Sequence, residues 1–168
     1  MRYQHDDPLA FGLLYDRYAS GLFFFAHSLI EDSALAEDLV QESFLRLLDR
    51  DPAGLQEFVR GLLYTILRNL AYDEARKRRL RLKSYPSILA SEISTDRTGS
   101  PDHLEELSRA LHALPHEQRE TIILKSYGGF TFSEIAQILG VPEATVKSRY
   151  RYALEKLAQL LQEDQGDL

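Results

Sequence analysis

Thr145, Lys147, Ser148, Arg151 and Tyr152 lie within one stretch of eight residues, and all carry polar groups suited to phosphate oxygens or the edges of bases. The residues around them say how they would be held. Thr131 and Glu134 have the spacing of a capping box. Ile135, Ile138 and Leu139 fall on one helical face, and Gly140 stands where a helix end wants a left-handed residue. Pro142 suits the first turn of a second helix. In that helix Val146, Tyr150, Ala153, Leu157 and Leu161 repeat at three- and four-residue steps, so they form a core stripe and leave the polar set outside. Two helices joined by a tight turn, with donors at the start of the second, can place those donors in a major groove. An ordinary helical hairpin with a solvated basic face is the alternative reading of this stretch by itself.

A second set could bind unpaired strands. Arg60, Tyr64, Arg68, Tyr72 and Arg76 recur every fourth residue, interleaving guanidinium groups for a backbone with rings for stacked bases. Tyr residues padding the edge of a core would give the same spacing. The tail that follows, Arg76, Lys77, Arg78, Arg79, Arg81 and Lys83, is a run of like charges that calls for an anionic partner. A third set is acidic. Asp38, Gln41, Glu42 and Leu45 share the outer side of a helix whose inward stripe is Ala36, Leu39, Val40, Ser43, Phe44 and Leu47, so they form either a solvated face or a docking face for a basic helix.

Catalytic chemistry finds little support. Only His112 and His116 among the five histidines have a ligand-like separation, and Pro115 lies between them. There is no glycine-rich phosphate loop and no serine nucleophile elbow, and the carboxylates read as helix-surface groups. We expect no enzyme, no metal and no cofactor. Cysteine is absent, which removes disulfides, thiolate sites and direct thiol redox sensing, and fits a cytoplasmic protein. The longest apolar run, Leu22 to Ile30, is broken by His27 and Ser28 and falls short of the roughly 20 residues a membrane helix needs. A formal net charge of −6 argues against nucleic acid, but its distribution argues for it. The region from Asp6 to Glu57 is acidic, whereas basic residues gather at Arg60 to Lys83 and Lys147 to Lys156.

The elements that must position these sets read as all-α. A first helix starts at Asp7-Pro8, with Phe11, Leu14, Tyr18, Leu22 and Phe25 inward, and ends near Glu31-Asp32. Asp32 or Ser33 opens the second helix. Arg50 to Glu57 reads as a loop, and a third helix over about 56–80 turns Phe58, Leu62, Ile66 and Leu70 inward. Residues 84–101 lose the helical period and read as a flexible linker, with a possible short helix at 88–93. Asp102 with Glu105 caps a helix carrying Leu104, Leu107, Leu111 and Leu114. Pro115 starts another, closed by Gly128-Gly129, and the end from Gln162 is expected to fray.

Taken together, AFGLLYDRYASGLFFFAHSLIEDSALAEDLVQESFLRLL, VRGLLYTILRNLAYDEARKRR and LHALPHEQRETIILKSYGGFTFSEIAQILGVPEATVKSRYRYALEKL resemble the bacterial sigma-70 family, and its short extracytoplasmic-function (ECF) branch above all. AEDLVQESFLRL and GVPEATVKSR, in this order and separation, are the most specific pieces. The resemblance implies a region 2 helical bundle at 5–83, a linker at 84–101 and a region 4 helix-turn-helix domain at 102–163. It implies a transcription initiation factor whose partners are core RNA polymerase, promoter DNA and an anti-sigma factor. Asp38, Gln41, Glu42 and Leu45 would then face the clamp coiled coil of core polymerase. The loop at 50–57 would capture a flipped base of the minus 10 element, with Asn69 supporting the pocket. Arg60, Tyr64, Arg68, Tyr72, Arg76, Arg78 and Arg79 would lie near the opening strand. Thr145, Lys147, Ser148, Arg149, Arg151 and Tyr152 would meet the duplex minus 35 element. Val59 and Leu62 stand where the family often has an aromatic residue and a Trp, and Tyr152 where an Arg is usual, so the promoter sequence is not inherited.

Two rival functions use the same residues. A stand-alone helix-turn-helix regulator needs neither the Asp38–Leu45 face nor the Arg/Tyr row. A sigma-like decoy for an anti-sigma factor needs no Lys147, Arg149 or Arg151.

Overall fold

The computed structural model describes residues 8–50, 58–84, 107 and 109–165, and among them every regular element is a helix. They divide into two compact units. Residues 51–57 of the loop expected at 50–57, the linker beyond Ser84 and the cap at Asp102 and Glu105 lie outside the described residues, as does the Asp7 cap.

The first unit holds α1 (Pro8–Ile30), α2 (Ser33–Leu48) and α3 (Val59–Ser84), each packed against the other two. Glu31 and Asp32 alone separate α1 from α2. Glu31 takes a left-handed φ of 53° while its N–H still donates to the His27 carbonyl at 2.9 Å. Asp32 then caps α2 by accepting from the Leu35 N–H at 3.1 Å, which satisfies one of the donors a helix start leaves open. The inward stripe of α2 is the expected one, Ala36, Leu39, Val40, Ser43, Phe44 and Leu47. Ser43 is fully buried but donates its hydroxyl to the Val40 carbonyl at 2.7 Å, so no polar group is stranded there. Phe44 packs edge-on against Phe11 at 5.9 Å between ring centroids.

The expectation for α3 needs correcting. Its buried face is Leu63, Tyr64, Leu67, Leu70 and Ala71 with Ile66, and Leu62 is only half-buried. Tyr64, placed by its spacing in a row open to nucleic acid, is 4% exposed and lies 5.4 Å from the Phe25 ring. Its hydroxyl comes so near Gly21 that a Cβ there would approach it to 2.6 Å, which explains a glycine inside α1. A helix turns about 100° per residue, so a row of four-residue steps drifts about 40° each time. The row thus passes from half-buried Arg60 through the core at Tyr64 and is exposed only from Tyr72. The helix also runs on to Ser84, past the end expected near residue 80, so the whole basic tail lies on helix.

The second unit holds a helical stretch at 109–112, then α4 (His116–Ser126), α5 (Phe132–Leu139) and α6 (Glu143–Gln165). Of the leucines this stretch carries, Leu114 is buried together with Ala110, whereas Leu107 is 41% exposed. Arg119 is buried and donates to the carbonyls of His112 at 2.6 Å and Leu114 at 3.3 Å. It ties α4 to the turn before it through charge-assisted bonds to carbonyls of that turn, while the start of α4 at Pro115 has no side-chain cap. Far from fraying at Gln162, α6 continues to Gln165.

Two substitutions check this packing by urea denaturation. Tyr64→Ala should cost about 3 kcal/mol or more, whereas Tyr72→Ala should change stability by under about 0.5 kcal/mol; equal costs would contradict the assigned faces. Glu31→Gly should raise stability by about 0.5–1 kcal/mol, because glycine occupies the left-handed region without the steric cost. A loss of stability would show that the Glu31 conformation carries no strain.

Candidate nucleic-acid and protein interfaces

The joint between α5 and α6 is built as its residues dictate. Thr131 accepts from the Glu134 N–H at 3.2 Å, and Glu134 in turn accepts from the Thr131 N–H at 2.7 Å. Gly140 closes α5 at φ 66° and ψ 35°, a conformation costly for a residue with a Cβ. The Pro142 carbonyl, just before α6, accepts from Thr145 at 2.9 Å and Val146 at 3.2 Å. Val146 and Ala153 are fully buried and Leu157 is 8% exposed, while Tyr150 meets the Phe132 ring at 5.5 Å. With that stripe fixed inward, Lys147, Arg151 and Tyr152 are exposed, and Thr145, Ser148 and Arg149 are half-buried.

These side chains are not idle in the free protein. Lys147 pairs with Glu143 at 2.7 Å, and Arg151 lies 3.8 Å from Glu155. The Arg151 guanidinium also sits 4.9 Å over the Tyr152 ring. Ser148 donates to the Thr145 carbonyl at 2.9 Å, which leaves its oxygen lone pairs as the part open to a partner.

On α3 the row expected to face nucleic acid is only partly assembled. Tyr64 is core and leaves the row, while Arg60 and Arg68 are both half-buried. Arg68 and Tyr72 form a unit, the guanidinium 4.6 Å from the ring centroid and its Nη2 3.4 Å from the hydroxyl. Asn69, Arg76 and Arg79 are exposed beyond it, and Arg78 is half-buried, 4.0 Å from Asp32. Glu74 takes both Lys77 at 3.1 Å and Arg81 at 3.9 Å, which relieves part of the repulsion within the tail.

The α2 face is assembled as its period requires. Asp38 and Gln41 are exposed, Leu45 is 55% exposed, and Glu42 is half-buried. Glu42 holds Arg46 at 2.8 Å, a cation that the acidic pattern of the sequence does not bring out. Glu143 and Glu155 are hidden in the sequence for the converse reason, since the pattern on α6 is one of cations; their four-residue spacing to Lys147 and Arg151 is the signal that could have found them. Among the described residues no group of three or more His, Asp or Glu is placed to hold a metal ion, and no helix is long and apolar enough to cross a membrane.

Comparison with known proteins bears on what these faces serve. The chain matches the Sigma-70 region 2 family over residues 14–81 and the Sigma-70 region 4 family over residues 104–157. It is 39% identical over 147 residues to the ECF RNA polymerase sigma factor EcfG of Rhodopseudomonas palustris, covering 83% of this chain and 78% of the relative. The match to the ECF sigma factor SigL of Mycobacterium tuberculosis is 36% over 163 residues, covering 89% of this chain and 88% of the relative. In structure the chain resembles the sigma factor RpoE solved in complex with the anti-sigma factor NepR from Bartonella quintana, with a TM-score of 0.77, 31% identity and coverage of 90% of this chain and 96% of that one. It also resembles CnrH, solved with the cytosolic domain of CnrY, with a TM-score of 0.66, 27% identity and coverage of 95% and 92%. The exposed acidic face of α2, the helix-turn-helix of α5 and α6 and these matches agree, and the chain belongs to the ECF branch of the sigma-70 family of RNA polymerase sigma factors.

Proposed function

We propose that this ECF sigma factor divides its work among three helix faces: α2 docks core RNA polymerase, α3 meets the opening strand of the minus 10 element, and α6 reads the duplex minus 35 element. As a transcription initiation factor it binds core polymerase and directs it to specific promoters. The division places region 2 at 5–83, a linker at 84–101 and region 4 at 102–163.

The observation that carries the reading is the inward stripe of α6. Burial of Val146, Ala153 and Leu157 leaves Lys147, Arg151 and Tyr152 pointing away from the unit, in the half of the helix nearest its start. That is the end a recognition helix presents to base edges. On α2, Leu45 offers an apolar centre beside Asp38, Gln41 and Glu42, an arrangement that suits a basic helix of a protein partner. On α3, the Arg68–Tyr72 pair supplies a charged plane and a ring already stacked together, with Asn69 beside it for a base edge. The basic tail on the same helix follows the phosphates.

Such a protein makes and breaks no covalent bond. It lowers the cost of strand separation by binding bases once they are unstacked, against a cost of a few kcal/mol per base. Phosphate contacts set the register and base contacts set the sequence. An anti-sigma factor is the regulatory partner we infer, because the two structural relatives described above were solved with partners of that kind or with a cytosolic partner domain. The cytoplasm, where polymerase works, is the compartment that fits.

Reversing charge on α2 tests the docking face. Asp38→Arg combined with Glu42→Arg should weaken binding to core polymerase by about tenfold or more, with circular dichroism unchanged, because neither side chain is in the core. Wild-type affinity in a folded double variant would contradict the assignment. On α6, Lys147→Ala combined with Arg151→Ala should weaken promoter binding by the holoenzyme and flatten its salt slope by about one for each phosphate no longer neutralised. An unchanged salt slope would remove α6 from the minus 35 contact.

A further inference from the structure

Glu143, Lys147, Arg151 and Glu155 follow one another at four-residue steps along α6. Such steps put neighbours on the same side of a helix. The two cations therefore stand between two acids, and each is drawn to the acid on its outer side, Lys147 to Glu143 at 2.7 Å and Arg151 to Glu155 at 3.8 Å. All four side chains are close to half exposed or more. Helix stability favours one of the pairs more than the other. Glu143 precedes its cation and sits in the first turn, where both the pair orientation and the helix dipole favour it. Arg151 with Glu155 has the less favourable order, in the middle of the helix, and neither benefit applies.

The charge of the whole unit points the same way. Residues 102–163 hold seven Lys and Arg against nine Asp and Glu, although residues 58–84 hold eight against two. A domain that touches duplex DNA is thus net acidic, and two of its outward cations, Lys147 and Arg151, come with their own counter-charges. Attraction to phosphates is blind to sequence and grows with each cation that can neutralise one. A carboxylate beside that cation competes with the phosphate and repels it. The penalty is smaller where the helix meets base edges, since exocyclic amines are donors that a carboxylate can accept from.

Resting on the assignment of α6 as the recognition helix, we infer that Glu143 and Glu155 are specificity-determining residues: they hold Lys147 and Arg151 so that random-sequence duplex is bound poorly, and the cations are released only where base contacts and attachment to polymerase compensate. Discrimination here comes from a repulsive element against the wrong partner. The quantity that matters is the ratio of promoter to random binding, which these acids raise by lowering the second term.

The test uses the full chain, free and as holoenzyme, with Glu143→Gln and Glu155→Gln combined. The amide keeps the shape and removes the charge. The free variant should bind a random-sequence duplex about tenfold more tightly than wild type at low salt, with a steeper salt slope. In the holoenzyme the preference for promoter over random DNA should fall. Glu117→Gln, an exposed acid on α4, removes one acidic charge that pairs with neither Lys147 nor Arg151 and should have much less effect than Glu155→Gln alone. Adding Lys147→Ala and Arg151→Ala to the glutamine variant should abolish the gain. The inference is overturned if the glutamine variant, folded by circular dichroism, binds random DNA like wild type, if Glu117→Gln matches Glu155→Gln, or if the gain survives loss of the two cations. Should the double amide variant not fold, Glu155→Gln alone carries the test, because its pair contributes least to the helix. Silence of Lys147→Ala with Arg151→Ala in the holoenzyme would sink the recognition-helix reading and this inference together, whereas silence of the glutamine variants alone overturns only the inference.

Discussion

Each helix can bury only one stripe, and every exposed side chain that matters here is exposed because another residue on its helix is not. Phe44 and Leu47 anchor α2 against α1 and α3, and the same rotation carries Asp38, Gln41 and Leu45 to the outside. Val146 and Ala153 do this for Lys147 and Arg151. The core therefore sets the azimuth of each binding face, and the Asp32 cap and the Gly140–Pro142 corner set where α2 and α6 begin. A shift of one residue turns a helix by about 100° and would exchange core for contact surface.

The faces so positioned are held by weak and replaceable interactions. Exposed pairs such as Glu42 with Arg46 and Glu74 with Lys77 contribute at most about 1 kcal/mol each. That is little for the fold but useful for binding, since a phosphate or a partner helix can displace one member at small cost. The buried polar groups behave differently. Arg119 is tied to two backbone carbonyls around the turn before α4, and its loss would remove both bonds from the unit. Strong polar bonds thus fix the scaffold, and weak ones cover the working surfaces.

Legibility in the sequence followed the same division. The α2 stripe, the Thr131–Glu134 capping box and the Gly140 corner could all be read, because each depends on spacing of a few residues within a single helix or turn. Tyr64 could not be placed correctly, because a four-residue row drifts around a long helix, and only contact with Phe25 and Gly21 decides where it enters the core. Arg119 was unreadable for a related reason. Its acceptors are main-chain carbonyls of a turn, which leave no side-chain pattern. What a periodic pattern reports is a face; which faces meet is settled by packing between elements.

The central claim is that the outward face of α2 is covered by core RNA polymerase. The chain has no cysteine, so a single Leu45→Cys thiol can be followed without interference from this protein. Its alkylation rate should be measured by mass spectrometry of this chain, free and bound to core polymerase. Leu13→Cys serves as a comparison, since Leu13 is about as exposed, 52% against 55%, and belongs to no assigned contact. The account predicts that polymerase slows alkylation at position 45 by about tenfold or more and leaves position 13 nearly unchanged. Equal rates at position 45 with and without polymerase, in a complex shown to have formed, would contradict it.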